Sequence, residues 1–176
     1  NQYNSLSPNS FGNFAISTIL IKTSFKKSDE NESITFNNFQ NNRLIIANRL
    51  ALINGSSGGG VDEFGYPLGY GKNNQAVLIP AFISAYSGQD PSSISLSAIR
   101  STPLPNWSLQ YNGLINLEFF KERFKRFSIG HSYRSSYTLN SFKSNLEFDL
   151  EDLSLKDVSG NFLNEILYTN INLVEQ

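Results

Sequence analysis

The sequence predicts an all-β chain, a segment of a transmembrane antiparallel β-barrel with a helical insertion. Three observations predict it. Over residues 127–140 the side chains alternate: Phe127, Ile129, His131, Tyr133, Tyr137 and Leu139 fall on one face. Ser128, Gly130, Ser132, Arg134, Ser136, Thr138 and Asn140 fall on the other. The polar face is small and almost uncharged, and the apolar face carries aromatics, a pattern that suits lipid on one side and a wet lumen on the other. Residues 106–114 repeat it, with Trp107, Leu109 and Tyr111 opposite Ser108, Gln110 and Asn112. Finally, no apolar run approaches the roughly 18 residues that a spanning helix needs, and the best one, 77–85, contains Pro80.

Five strands are expected, at 13–23, 106–114, 127–140, 143–150 and 165–175. In the first, Phe14, Ile16, Thr18 and Leu20 share a face, although Ile19 and Ile21 blur the sorting. In the fourth, Leu146, Phe148 and Leu150 oppose Asn145, Glu147 and Asp149, and in the fifth Leu167, Thr169, Ile171 and Leu173 oppose Tyr168, Asn170 and Asn172. Most reach or approach the 9–11 residues, roughly, that a tilted transmembrane strand requires.

Residues 33–86 break this pattern and read as a helical and glycine-rich insertion. Phe36, Phe39, Ile46, Ala47 and Leu50 recur at helical spacing after Ser33, a suitable N-cap, and Asn54-Gly55 supplies a stop. A second, shorter helix is expected over 74–86, with Val77, Leu78, Ala81, Phe82 and Ala85 on one stripe, Gly88 as terminator and Pro80 as a restriction on its start. Residues 55–72 read as a loop.

Five strands cannot close a barrel in a bilayer, because open edges leave backbone groups unpaired in hydrocarbon and single-chain barrels begin at about eight strands. With no initiator Met or signal segment before Asn1, the 176 residues are expected to be a piece of a longer polypeptide, all of it part of one barrel domain.

Composition narrows the function classes. A net charge of −1 and a pI near 5.8 offer nothing to attract nucleic acid or an anionic lipid surface. The absence of cysteine removes disulfide scaffolds and thiolate metal sites. His131 is the sole histidine, on an apolar strand face where an imidazole is expected to bond to a neighbouring strand or face a protein subunit. The glycines of 55–60 and 65–71 fail the phosphate-loop spacing, since five residues separate Gly65 from Gly71 and Asn73 follows Lys72. Glu147, Asp149, Glu151, Asp152 and Asp157 lack calcium-loop spacing and read as a solvated turn. Lys121, Arg123, Lys125 and Arg126, interleaved with phenylalanines, fit a membrane surface or an ordinary polar junction.

The segments 74–88 (NQAVLIPAFISAYSG), 103–114 (PLPNWSLQYNGL) and 132–142 (SYRSSYTLNSF) closely resemble consecutive stretches of the SprA (Sov) family, the giant outer-membrane translocons of the Bacteroidota type IX secretion system. The resemblance extends to 48–51 (NRLA), 65–73 (GYPLGYGKN) and 174–176 (VEQ), and covers nearly the whole chain in order and spacing. Pro103, Pro105, Asn106, Trp107, Tyr111 and Gly113 are its signature positions. It implies a segment of a very large transmembrane antiparallel β-barrel, from the later part of that barrel, in the bacterial outer membrane. By resemblance, the partners are the remaining barrel of the same translocon, a PorV-type outer-membrane protein, a periplasmic plug protein, and secreted cargo with C-terminal targeting domains.

The leading expectation is therefore a pore-wall segment, not an enzyme, without cofactor or metal. Ser128, Ser132, Arg134, Ser136 and Asn170 are expected to face the lumen, while Phe127, Ile129, Leu146, Phe148, Ile171 and Leu173 face lipid or a partner. The alternative is a soluble all-β cell-surface module that binds carbohydrate or mediates adhesion, with Trp107 and tyrosines stacking on sugars. A mean hydropathy of −0.28 fits either.

Overall fold

The structure, a computed structural model, describes residues 10–26, 28–29 and 32–176. Its elements in order are strand β1 (Phe11–Ser17), helices α1 (Ile34–Ile53) and α2 (Gln75–Ser87), strand β2 (Trp107–Tyr111), a 3-10 turn (Gly113–Asn116), the single-turn helix α3 (Glu118–Lys121), and strands β3 (Ile129–Tyr133), β4 (Ser135–Ser144) and β5 (Ile166–Glu175). Two antiparallel sheets result, a three-stranded one in the order β1-β4-β5 and a two-stranded ribbon of β2 and β3.

Both helices end where local chemistry dictates. The Ser33 hydroxyl accepts from the Phe36 N–H and the Asn74 side chain accepts from the Ala76 N–H, each satisfying a donor that the first helical turn leaves free. Gly88 closes α2 in the left-handed region at φ 66°, where a Cβ would be strained. Pro80 lies inside α2 and does not delay its start. It removes the N–H that would have bonded to the Ala76 carbonyl, and it is packed with less than 2% of its surface open.

The helices cover one face of the three-stranded sheet. Phe14 pairs with Leu139 and Leu139 with Ile171; Ile16 pairs with Tyr137 and Tyr137 with Leu173. These rows meet Ile46 and Ala47 of α1 and Val77, Ile79, Ala81 and Ile83 of α2 in one cluster, in which Leu139 and Val77 are fully buried. Phe39 meets Phe82 edge-on at 6.4 Å, and the Asn42 amide donates to the Ser84 hydroxyl at 3.0 Å, tying α1 to α2. A coil over 89–105 closes the rim. Arg49 holds it through the carbonyls of Pro91 and Ile94, and the Tyr137 phenol donates to the Ala98 carbonyl at 2.8 Å.

Several strand expectations need correction. The first strand stops at Ser17 and not at residue 23, because the chain turns: the Leu20 N–H donates to the Tyr133 phenol oxygen at 2.7 Å, and the Thr23 hydroxyl donates to the Leu20 and Tyr86 carbonyls. Such side-chain bonds compete with a sheet ladder. The second spans Trp107–Tyr111 and gives way to the 3-10 turn. The third is two strands, since β3 pairs with β2 while β4 pairs with β1 and β5.

Residues 143–150 are not a strand of their own. Lys143 and Ser144 finish β4; beyond them the Asn145 and Asp149 side chains accept from the N–H groups two residues on and fold the chain into turns. In β5 the pairing skips Thr169, so Tyr168 joins Ile171 and Leu173 against the core and Leu167 does not. Ile171 and Leu173, expected to face lipid or a partner, pack instead against the chain's own helices.

Candidate functional site

The β2–β3 ribbon has two unlike faces. Trp107 pairs with Tyr133, Leu109 with His131 and Tyr111 with Ile129, so all six share one side; Ser108 with Ser132 and Gln110 with Gly130 form the other. Tyr133 is buried, but Leu109 is 63% exposed, Tyr111 52% and Ile129 47%. Beyond the Tyr133 end, where the Leu20 N–H reaches the phenol oxygen, this apolar face lies open. Trp107 lies flat on Tyr133, centroids 4.5 Å apart at 22°, and its indole N–H donates to His131 Nδ1 at 3.0 Å. The single histidine is thus a cross-strand acceptor, held without a catalytic partner.

The polar face continues from the ribbon into the sheet. Burial alternates from Tyr133 to Leu139 without a skip, so Ser132, Arg134, Ser136 and Thr138 keep to one side. On that side Ser136 lies between Ser17 and Val174, Thr138 between Ala15 and Asn172, and Ser141 beside Asn170. The structure therefore brings Ser132, Ser136 and Asn170 onto faces that the helices leave open. Arg134 marks the junction between β3 and β4, where its main chain exchanges both hydrogen bonds with Gln176, at 2.9 and 2.7 Å. Ser128 precedes β3 and is exposed outside any strand.

The signature residues have physical tasks around this junction. Leu104, between Pro103 and Pro105, donates its N–H to the Ser17 carbonyl and so lines the edge of β1 that no described strand pairs. The Asn106 side chain accepts from the Ser135 N–H at 2.9 Å, at the point where β3, paired with β2, passes into β4, paired with β1. Tyr111 folds over Gly113.

On the outer edge of β5, the Gln75 side chain takes the role of a short strand: its Oε1 accepts from the Tyr168 N–H at 2.9 Å and its Nε2 donates to the Ile166 carbonyl at 2.7 Å. No described strand pairs that edge over the rest of β5.

The remaining sequence candidates resolve into structure. Asp62 accepts from the N–H groups of Phe64 and Tyr66, and Asp157 from those of Ser159 and Asn161, making two alike turns. They dock through the Phe162 N–H on the Gly69 carbonyl and the Gly71 N–H on Asn161 Oδ1, which is why the glycine-rich loop is where it is. Hydroxyl and amide donation from Ser154 holds the Asp152 carboxyl below the usual range. Arg123 sits over the Phe119 ring at 4.1 Å, and Phe127 packs on Phe120 at 4.6 Å, so Arg123 of the basic run joins a local aromatic cluster. Among the described residues no group of three or more His, Asp or Glu side chains is placed to hold a metal, and no helix is long and apolar enough to cross a membrane. No known family model matches the chain, and no curated protein matches it.

Arg100 was not singled out by the sequence pattern, yet its guanidinium is half-buried beside Tyr137. The available signal was a lone cation in the otherwise uncharged stretch 91–117.

Proposed function

We propose that the chain is part of the wall of an outer-membrane protein-conducting pore that exports folded cargo in type IX secretion. The observation that carries this reading is the β2–β3 ribbon, an uncovered aromatic face backed by a small polar face that runs on into β4. Its resemblance to the SprA (Sov) translocons adds the cargo, the PorV-type partner and the plug. In this reading the odd-numbered face of the ribbon meets lipid, and Ser132, Arg134, Ser136 and Asn170 line the wet side.

The same logic divides the chain by depth. The apolar face of β1-β4-β5 is already taken by α1 and α2, so this sheet has no apolar face left for hydrocarbon. We assign it to the part of the wall beyond the bilayer surface, with the helices on the outer side. Strands of five residues in the ribbon reach only about 17 Å, so neighbouring strands must extend and close the wall.

Trp107 is the only tryptophan, and it tests the assignment directly. Reconstituted in vesicles, its emission should be quenched by brominated lipid and shielded from iodide. Full iodide access with no lipid quenching, in a chain that folds cooperatively without detergent, would overturn the pore-wall assignment. It would favour a second reading, a cell-surface module that binds carbohydrate, for which the flat Trp107 surface is the specific support. That module predicts a Trp107 emission change on adding oligosaccharide in buffer.

A further inference from the structure

Beneath the coil that closes the rim lies a cavity of about 320 Å³, bounded by the end of β1, by α2 and by residues 95–104. It falls at the small end of the roughly 300–1,000 Å³ of small-molecule sites. Its walls are mixed. Ile83, Leu104 and Leu173 supply apolar surface, Ser95 and Thr102 are polar residues of the lining, and Arg100 is the one charged residue lining it. Nη2 of Arg100 is buried with no hydrogen-bond partner among the described residues. A buried guanidinium donor without an acceptor costs free energy that an anion would recover, and a carboxylate matches the planar donor geometry.

We propose that this cavity binds an amphipathic monoanion, an apolar body ending in a carboxylate, with Arg100 as the group that holds the charge. The apolar wall selects the body of the ligand and the single cation limits it to one negative charge. Burial already draws the Arg100 guanidinium below its ordinary range, consistent with a partly dehydrated cation. The site is independent of the pore-wall assignment, since it needs neither lipid nor a neighbouring strand.

The probe is N-acetyl-leucine, titrated calorimetrically into the folded protein, with N-acetyl-leucinamide as the uncharged control. Saturable binding of the acid, at least tenfold weaker for the amide and for Arg100→Met, is the expected result, with Arg100→Lys recovering part of the affinity. Arg100→Met removes an unpaired buried donor and should fold at least as well as the parent, which its thermal transition would verify. Ser101→Asp provides a second variant, placing a competing carboxylate on the cavity wall and weakening the acid without removing Arg100. Equal affinity for acid and amide, or no binding of either up to millimolar concentration, would overturn the proposal.

Discussion

Tyr111 folds its ring over Gly113 so closely that a Cβ at residue 113 would come 2.5 Å from the phenol oxygen and 2.6 Å from Cζ. Gly113 does not adopt a positive φ, so the demand for glycine is steric, and the three nearest atoms all belong to Tyr111. Because the half-exposed Tyr111 ring can swing aside, Gly113→Ala should destabilise by no more than about 1 kcal/mol in denaturant unfolding. In a Tyr111→Ala background the same change should be nearly neutral, and a double-mutant cycle with no coupling would contradict this packing.

Asn106 supplies the acceptor for the Ser135 N–H at the sheet switch. Asn106→Ala leaves that donor without a partner and should cost roughly 1–3 kcal/mol, whereas Asn106→Asp keeps an acceptor and should cost less. Amide hydrogen exchange at Ser135 would register the difference, with faster exchange in the alanine variant only.

Leu139 and Thr138 are neighbours on opposite faces of β4. Leu139 is fully buried against the helices, so Leu139→Ala should cost about 2–5 kcal/mol. Thr138 sits on the helix-free face, and Thr138→Ala should change stability by no more than about 0.5 kcal/mol. Equal costs would mean that the helices do not cover this face.

The Asp152 carboxyl, held down by the Ser154 hydroxyl and N–H, should titrate below a free aspartate in carbon-detected NMR. Because its folded pKa is depressed, the ionised form favours the fold above the unfolded pKa, and that contribution is lost as pH falls through the folded value. Ser154→Ala should move the midpoint upward, and an unmoved midpoint would contradict the assigned cause.

Both helix starts were legible because Ser33 and Asn74 bond to the backbone next to them, and Gly88 marks its own end. Where pairing is decided by distant partners, alternation was insufficient. Residues 127–140 alternate throughout, but nothing local shows that Tyr133 pairs with β2 while Ser135 faces β1 and β5. Residues 145–150 alternate as well, yet the Asn145 and Asp149 side chains capture nearby N–H groups. That turn chemistry was visible in the residue types and outweighs the period-two pattern. The skip at Thr169, which puts Tyr168 in the core, and the cover that α2 gives to Ile171 and Leu173 depend on tertiary packing alone. At the candidate site, the two faces of the ribbon were legible from alternation; the Trp107–His131 bond and the Arg100 cavity were not, since each joins segments far apart in sequence.

The two-faced ribbon is the centre of the pore-wall proposal, and the absence of cysteine makes it directly testable. Single cysteines at Ser108, Leu109, Gln110, Ile129, Gly130 and Ser132 would be introduced into the membrane-embedded protein and challenged with a membrane-impermeant maleimide and with a lipophilic one. A pore wall predicts alternation: 108, 110, 130 and 132 react with the impermeant reagent, while 109 and 129 react only with the lipophilic one. Uniform labelling of all six by the impermeant reagent would contradict it, leaving the ribbon in water on both faces.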